Sequence, residues 1–298
     1  MNISGILLAM QGAVSQGVLW GIMVLGVYIT YKILDFPDLT VDGSFPFGAA
    51  VTVRLISLDV PAAVTLPAAF LGGALVGALT GLIHVKLRVR DLLSGIIMMT
   101  GLYTVNLWIA GTGYVPIFNR ETIFDNEVLN RLVPENLEKL KTVLIIFLIA
   151  LTAKLLLDWY LGTKSGFLLR AVGDNDTIVT SLGVDKGMVK MVGLSVANGL
   201  VALSGCVFAQ QQRSFEISSG TGAVVIGLAS VIIGTGLFRR AGFLRATTGV
   251  IIGSVLYKGC VALAMFAGID ANAIKLITAV LFLVILVISM DRKGKRAC

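Results

Sequence analysis

Apolar runs of about twenty residues recur along this chain with hardly a charge inside them, and a hydrocarbon layer about 30 Å thick is the solvent that calls for such runs. Nine are expected, at roughly 11–33, 43–57, 61–84, 92–110, 141–161, 188–210, 222–237, 246–267 and 271–290. Charged residues make up only 14% of the 298 positions, against about a quarter in a soluble domain. The fold class that follows is an all-α integral membrane protein, a polytopic helical bundle forming one transmembrane domain over 1–298. The runs at 43–57 and 222–237 are short and interrupted by glycine. They are expected to be broken or half-spanning helices, which survive at membrane depth only when buried in protein or lining a cavity.

Charge placement sets the expected sidedness. Lys32, the group Lys86, Arg88 and Arg90, then Lys164, Arg170, Lys186 and Lys190, then Arg239, Arg240 and Arg245, and finally Arg292, Lys293, Lys295 and Arg296 all fall in alternate loops. Loops rich in Lys and Arg stay in the cytoplasm, which puts the N-terminus outside and the C-terminus inside. The net charge of +7 therefore reports sidedness and gives no reason to expect a nucleic acid partner. The first basic residue is Lys32, so the first run lacks the basic start of a signal peptide and is expected to be retained. Two loops are long: an outer one at about 111–140, with a short surface helix expected over 134–140, and an inner one at about 162–187.

Several chemistries are excluded. Cys206, Cys260 and Cys298 form no paired motif, and the single histidine, His84, reads as an interfacial residue, so no metal site is expected. No GxxxxGK[ST] phosphate loop occurs, and Gly234-Thr235-Gly236 and Gly111-Thr112-Gly113 lack a dinucleotide context. The acids fall in expected loops or segment ends, leaving no intramembrane relay of the kind ion-coupled carriers keep. The chain is not expected to be an enzyme or to hold a cofactor, and energy for transport has to come from a partner.

Four groups of residues carry signal. In Leu34–Gly48, three acids and two prolines interrupt the apolar pattern; Asp42, or alternatively Ser44, suits the cap of the next helix, and Phe45 follows. The stretch reads either as a solvated connection or as a helix break on a translocation route. In the inner loop, Arg170, Gly173, Asp174, Asn175, Asp176, Ile178, Leu182 and Gly183 describe a short amphipathic helix, with Asp174 or Asp176 at its N-cap and Gly183 at a left-handed C-cap. Such a helix on the basic side invites docking of a partner, or else lies on the membrane surface. Gly73, Gly77 and Gly81 recur every fourth residue, and Gly17/Gly21 and Gly249/Gly253 form further pairs that allow close helix crossings. Ser94, Thr100, Asn106, Asn198 and Lys258 are polar positions inside segments. Lys258 either snorkels outward or faces a polar pathway, and Lys154 with Asp158 reads as interface anchoring beside Trp159 and Tyr160.

The run Leu169-Arg170-Ala171-Val172-Gly173-Asp174-Asn175, followed by Ser181-Leu182-Gly183-Val184, resembles the cytoplasmic loop of ABC importer permeases in the branched-chain amino acid, ribose and nucleoside superfamily. Asp38-Leu39-Thr40-Val41-Asp42-Gly43-Ser44 is similar to an early motif of the sugar members. Ala202-Leu203-Ser204-Gly205 and Gly227–Gly234 follow in the same order. The resemblance implies a bacterial inner-membrane permease that pairs with a second copy and docks two cytoplasmic ATP-binding subunits, which hold ATP and Mg. An extracytoplasmic binding protein delivers the solute. Arg170–Gly183 would then hold the ATPase-coupling helix, and Asp42, Ser44, Phe45, Ser94, Asn106, Asn198 and Lys258 would be candidates for the pathway. The phrase Leu34–Ala50 looks more like a subgroup whose expected substrates are aromatic or other hydrophobic amino acids. A self-sufficient carrier or channel for small polar solutes is the alternative.

Overall fold

The computed structural model describes residues 3–126, 138–181, 183–238 and 245–266, with scattered positions between 276 and 287. Most of the ninth expected run, at 271–290, and nearly all of the surface helix expected at 134–140 lie outside the described residues.

Among the described residues the chain is almost entirely helical. In order come α1 (Ile3–Val27), extended by a π-helical turn over Tyr28–Ile33, α2 (Val41–Ser57), α3 (Ala62–Lys86), α4 (Asp91–Ala110) and strand β1 (Tyr114–Pro116). There follow α5 (Glu138–Leu161), α6 (Lys164–Asp174), α7 (Asp176–Ser181), α8 (Lys186–Gln212), strand β2 (Ser214–Glu216), a 3-10 turn over Ile217–Gly220, α9 (Ala223–Leu237) and α10 (Ala246–Phe266). Among the described residues, seven segments are long and apolar enough to cross a membrane: 12–33, 62–86, 91–110, 140–161, 186–212, 217–237 and 246–265. The chain is a multi-pass membrane protein.

The helices sort into a buried centre and a lipid-facing rim. About 72% of the span in α1 and 67% of that in α8 is buried within the chain, against 22% in α4. The rim instead exposes Leu71, Leu75, Leu79 and Leu82 on α3 and Leu144, Phe147, Leu148, Leu151 and Leu155 on α5. Stripes of this size on a water-facing helix would drive aggregation; against lipid tails they carry no such cost.

Glycine makes the centre possible. A Cβ on Gly77 would stand 2.1 Å from the Leu194 carbonyl oxygen, and one on Gly73 would stand 2.5 Å from that of Asn198. Gly81 faces Met191 in the same way. The every-fourth-residue row on α3 thus lies directly on α8, and the two helices run antiparallel. Gly253 closes α10 onto α9 against the Ser230 carbonyl, and Gly17 and Gly21 close α1 onto α10 against Val255 and Ile251.

α2 is one continuous helix of 17 residues with Pro46 inside it. The expectation of a broken helix at 43–57 is corrected in this respect: the break precedes it, at residues 34–40. Pro46 lies past the first turn and withholds one backbone bond, the one an N–H there would otherwise give to the Asp42 carbonyl. α2 lies parallel to α8 in a fixed register, with Ser44 on Asn198, Gly48 against Ala202 and Thr52 beside Cys206.

Candidate functional site

The centre of the molecule is a junction where α8 meets the 34–40 connection and the start of α2. Asn198 lies 12 residues into α8, about 18 Å from its start at 1.5 Å per residue, near the middle of a bilayer core. Its Nδ2 donates to Asp38 Oδ2 at 2.8 Å and to the Leu194 carbonyl at 3.1 Å. Its Oδ1 accepts from Ser44 Oγ at 2.7 Å. Asp38 also accepts from the Thr40 backbone N–H at 2.8 Å. Thr40 and Thr80 share a hydroxyl hydrogen bond of 3.1 Å, tying the connection to α3. The 34–40 connection is therefore not a solvated loop. Asp38 falls in the connection between two segments, as expected of the acids, but this connection is packed into the bundle and leaves Asp38 only 4% exposed. An amide that both donates and accepts is what lets a carboxylate lie there, because a buried polar atom without a partner costs about 1–3 kcal/mol.

Asp42 serves a helix other than its own. Thr40 is the cap residue of α2 and makes no side-chain cap bond. The Asp42 carboxylate accepts instead from the backbone N–H groups of Gly222 at 3.0 Å and Val224 at 2.8 Å. It caps α9 across the bundle, where the positive end of a helix dipole favours a carboxylate. Gly222, at φ +83°, makes the entry turn. The expected capping of α2 by Asp42 or Ser44 is corrected: both side chains reach other helices.

Phe45 extends the junction on the far side of α2. Its ring stacks on Trp20 at 5.0 Å and meets Phe208 at 5.4 Å, and Lys258 Nζ lies 3.8 Å from the centroid of Trp20. Lys258 thus neither reaches outward nor pairs with a carboxylate among the described residues; its charge rests on an indole face. Asn106 donates to the Gly43 carbonyl at 3.1 Å, anchoring α4 to the start of α2. Ser94 stays apart from the junction and donates to Asp91 O on its own helix at 2.7 Å.

The α6–α7 pair forms a second site at the end of the bundle where α5 finishes and α8 begins. Thr163 caps α6 through the Gly166 N–H. Leu169 and Val172 are buried, and Phe167 is 60% exposed on the opposite face. Arg170, Asp174 and Asn175 are exposed too. Gly173 packs inward: a Cβ there would stand 1.7 Å from the Ile33 carbonyl oxygen. Two helices replace the single expected one. Asp174 ends α6 and so does not cap the helix that follows; Asn175 Oδ1 accepts from the Thr177 N–H at 3.0 Å and is the capping acceptor. Gly183 takes the left-handed conformation, φ +75°. The side chains of Asp176 and Ile178, and Leu182 altogether, lie outside the described residues.

A third cluster escaped the sequence. Asp158, near the end of α5, accepts from Lys154 at 3.0 Å, Arg245 at 3.0 Å and Thr247 Oγ1 at 2.7 Å. It ties α5 to the start of α10, a tertiary role beyond the i,i+4 pair expected with Lys154. His84 likewise turns inward, with Nδ1 2.9 Å from the Val89 carbonyl and its ring edge-on to Phe36.

The family described as "Branched-chain amino acid transport system / permease component" matches residues 9–289. A tyrosine transport system permease protein of Clostridioides difficile (strain R20291) is 38% identical over 280 residues, 93% of this chain and 91% of that protein. The ribose import permease protein RbsC of Escherichia coli (strain K12) is 27% identical over 78% of this chain and 71% of its own length. The autoinducer 2 import system permease protein LsrC of Salmonella paratyphi B is 34% identical over 107 residues, 36% of this chain and 29% of that protein. No solved structure matches the chain.

Proposed function

Since the chain belongs to the family of branched-chain amino acid transport system permease components and is a permease subunit of an ABC-type importer, we propose that its cargo is an aromatic amino acid, tyrosine or a close relative. The observation that carries this reading is the 38% identity, over 93% of the chain, to a tyrosine transport permease. The aromatic-rich centre around Trp20, Phe45 and Phe208 supports it. Permeases of this kind work with an ATPase and a binding protein, and the ATPase, not this chain, holds ATP and Mg.

In this reading two copies of the permease enclose the pathway, and two ATPases sit on the α6–α7 face. Arg170, Asp174 and Asn175 meet the ATPase, together with Asp176, Ile178 and Leu182, while Gly173 and Gly183 shape the helix pair. The chain crosses the inner membrane nine times, N-terminus outside and C-terminus inside, with α2 and α9 as half-length helices that start deep in the bundle. Asp42, Ser44, Phe45, Asn106, Asn198 and Lys258 flank the pathway where those helices begin, and Ser94 stands nearer its cytoplasmic mouth. The positions of Lys86, Arg88, Lys164 and Lys186 at one end of the helices support the orientation.

A thermal-shift screen of the partner binding protein against amino acids, sugars and nucleosides tests the cargo. Stabilisation by tyrosine or phenylalanine and not by ribose is the expected result. A response to ribose or a nucleoside alone refutes the aromatic amino acid.

A further inference from the structure

At the end of α8 opposite the α6–α7 pair, the chain turns back into the bundle before α9 starts. Arg213 takes the left-handed conformation, β2 pairs with β1 in the register Tyr114 to Glu216, and Gly220 packs on the Asp42 carbonyl with no room for a side chain. The fold around this re-entry borders a half-open pocket of about 270 Å³, lined by Ala49, Phe208, Gln212, Ser214, Glu216 and Ser219. Ligand pockets run from about 300 to 1,000 Å³, so this one suits a single small solute.

Its lining is chemically uneven in a telling way. Glu216 supplies the one charge, and among the described residues no Lys or Arg pairs with it; its carboxylate accepts only from the neighbouring Ser218 hydroxyl. Arg213, one turn away, is occupied by Asp125 and the Phe118 carbonyl. Ser219 Oγ is buried without a hydrogen-bond partner, an arrangement that costs stability unless something else arrives to satisfy it. Phe208 gives an aromatic wall and is itself held by Phe45 and Trp20. Gln212 and Ser214 complete a set of neutral donors.

We propose that this pocket is the permease's own receiving site for a free α-amino acid. Glu216 accepts from the ammonium group, the Ser219 and Ser214 hydroxyls and the Gln212 amide donate to the carboxylate, and Phe208 packs against the side chain. A sugar offers nothing to a lone carboxylate of this kind beyond hydroxyl hydrogen bonds, whereas an ammonium makes the stronger charge-assisted pair. The assignment rests on the amino-acid reading above.

The test is ATP-driven uptake of L-tyrosine by the permease reconstituted with its ATPase and binding protein. Glu216→Gln is expected to lower the maximal rate about tenfold, the effect of losing one charge-assisted hydrogen bond. The binding-protein concentration for half-maximal uptake should not change. Phe208→Leu should slow tyrosine more than alanine. Glu216 is exposed and its replacement leaves packing intact, so a folding defect does not confuse the result. Wild-type uptake by Glu216→Gln overturns the assignment, as does a defect seen only in the half-maximal binding-protein concentration, which marks a docking contact. If the binding protein takes a sugar, the amino-acid reading and this site fall together. If it takes tyrosine and Glu216→Gln transports normally, the site alone falls.

Discussion

Asn198 and Asp38, 160 residues apart in the chain, share a 2.8 Å hydrogen bond near mid-depth of the bundle. Through it the connection before α2 is fastened to α8, and through Ser44 the same amide fastens α2 itself. A carboxylate in this position is tolerated because each partner is satisfied.

Replacing the amide should therefore cost more than a lost contact. We predict that Asn198→Leu lowers stability by about 2–4 kcal/mol, because it strands both Asp38 and Ser44. Asp38→Asn should cost less, since it removes the charge along with one acceptor. Thermal unfolding in detergent reads both. An Asn198→Leu midpoint equal to wild type would show that the junction does not hold the fold.

The glycine row gives a prediction with an internal control. Gly77→Leu should abolish folded protein in fluorescence-detected size exclusion, because even a Cβ meets the Leu194 carbonyl at 2.1 Å. Gly101→Ala, at a helical position with nothing within 4 Å, should be neutral or stabilise by about 0.5–1 kcal/mol. Equal behaviour of the two variants would contradict the close crossing of α3 and α8.

At Asp158 the order of effects is informative. Asp158→Ala leaves Lys154 and Thr247 without their acceptor and should destabilise by about 1–3 kcal/mol. Arg245→Ala should change stability by less than about 1 kcal/mol, because its side chain is 69% exposed. Thermal melts of both variants decide it. A larger loss at Arg245 would mean that the exposed ion pair, and not the threonine bond, ties α5 to α10.

The membrane-crossing helices were legible in the sequence because lipid demands length and apolarity, and both are local properties. The glycine spacing on α3 was legible for the same reason. Asp38, Asp42 and Asp158 were not. An acid between prolines reads as solvated until its partner is known, and here the partners are Asn198 and the start of a helix some 180 residues later. Asp158 and Lys154 sit four apart and read as a pair, while Thr247 and Arg245 enter from another helix. The pocket was invisible for a similar reason. Phe208, Glu216 and Ser219 share no motif, and only the re-entry of the chain after α8 brings them together.

On the α6–α7 face, Asp174→Lys combined with Gly183→Pro should abolish co-purification of the ATPase without reducing membrane insertion. The first variant reverses an exposed charge, and the second forces φ from +75° to the value near −65° that proline requires. Intact co-purification would remove this face from the coupling account.

The central claim is that the chain moves solute only as part of an ATP-driven assembly. Uptake of labelled L-tyrosine into proteoliposomes tests it most directly, with permease, ATPase, binding protein and ATP each omitted in turn. Accumulation is expected only in the complete mixture. Uptake by the permease alone, whether down a gradient or driven by an ion, would contradict it.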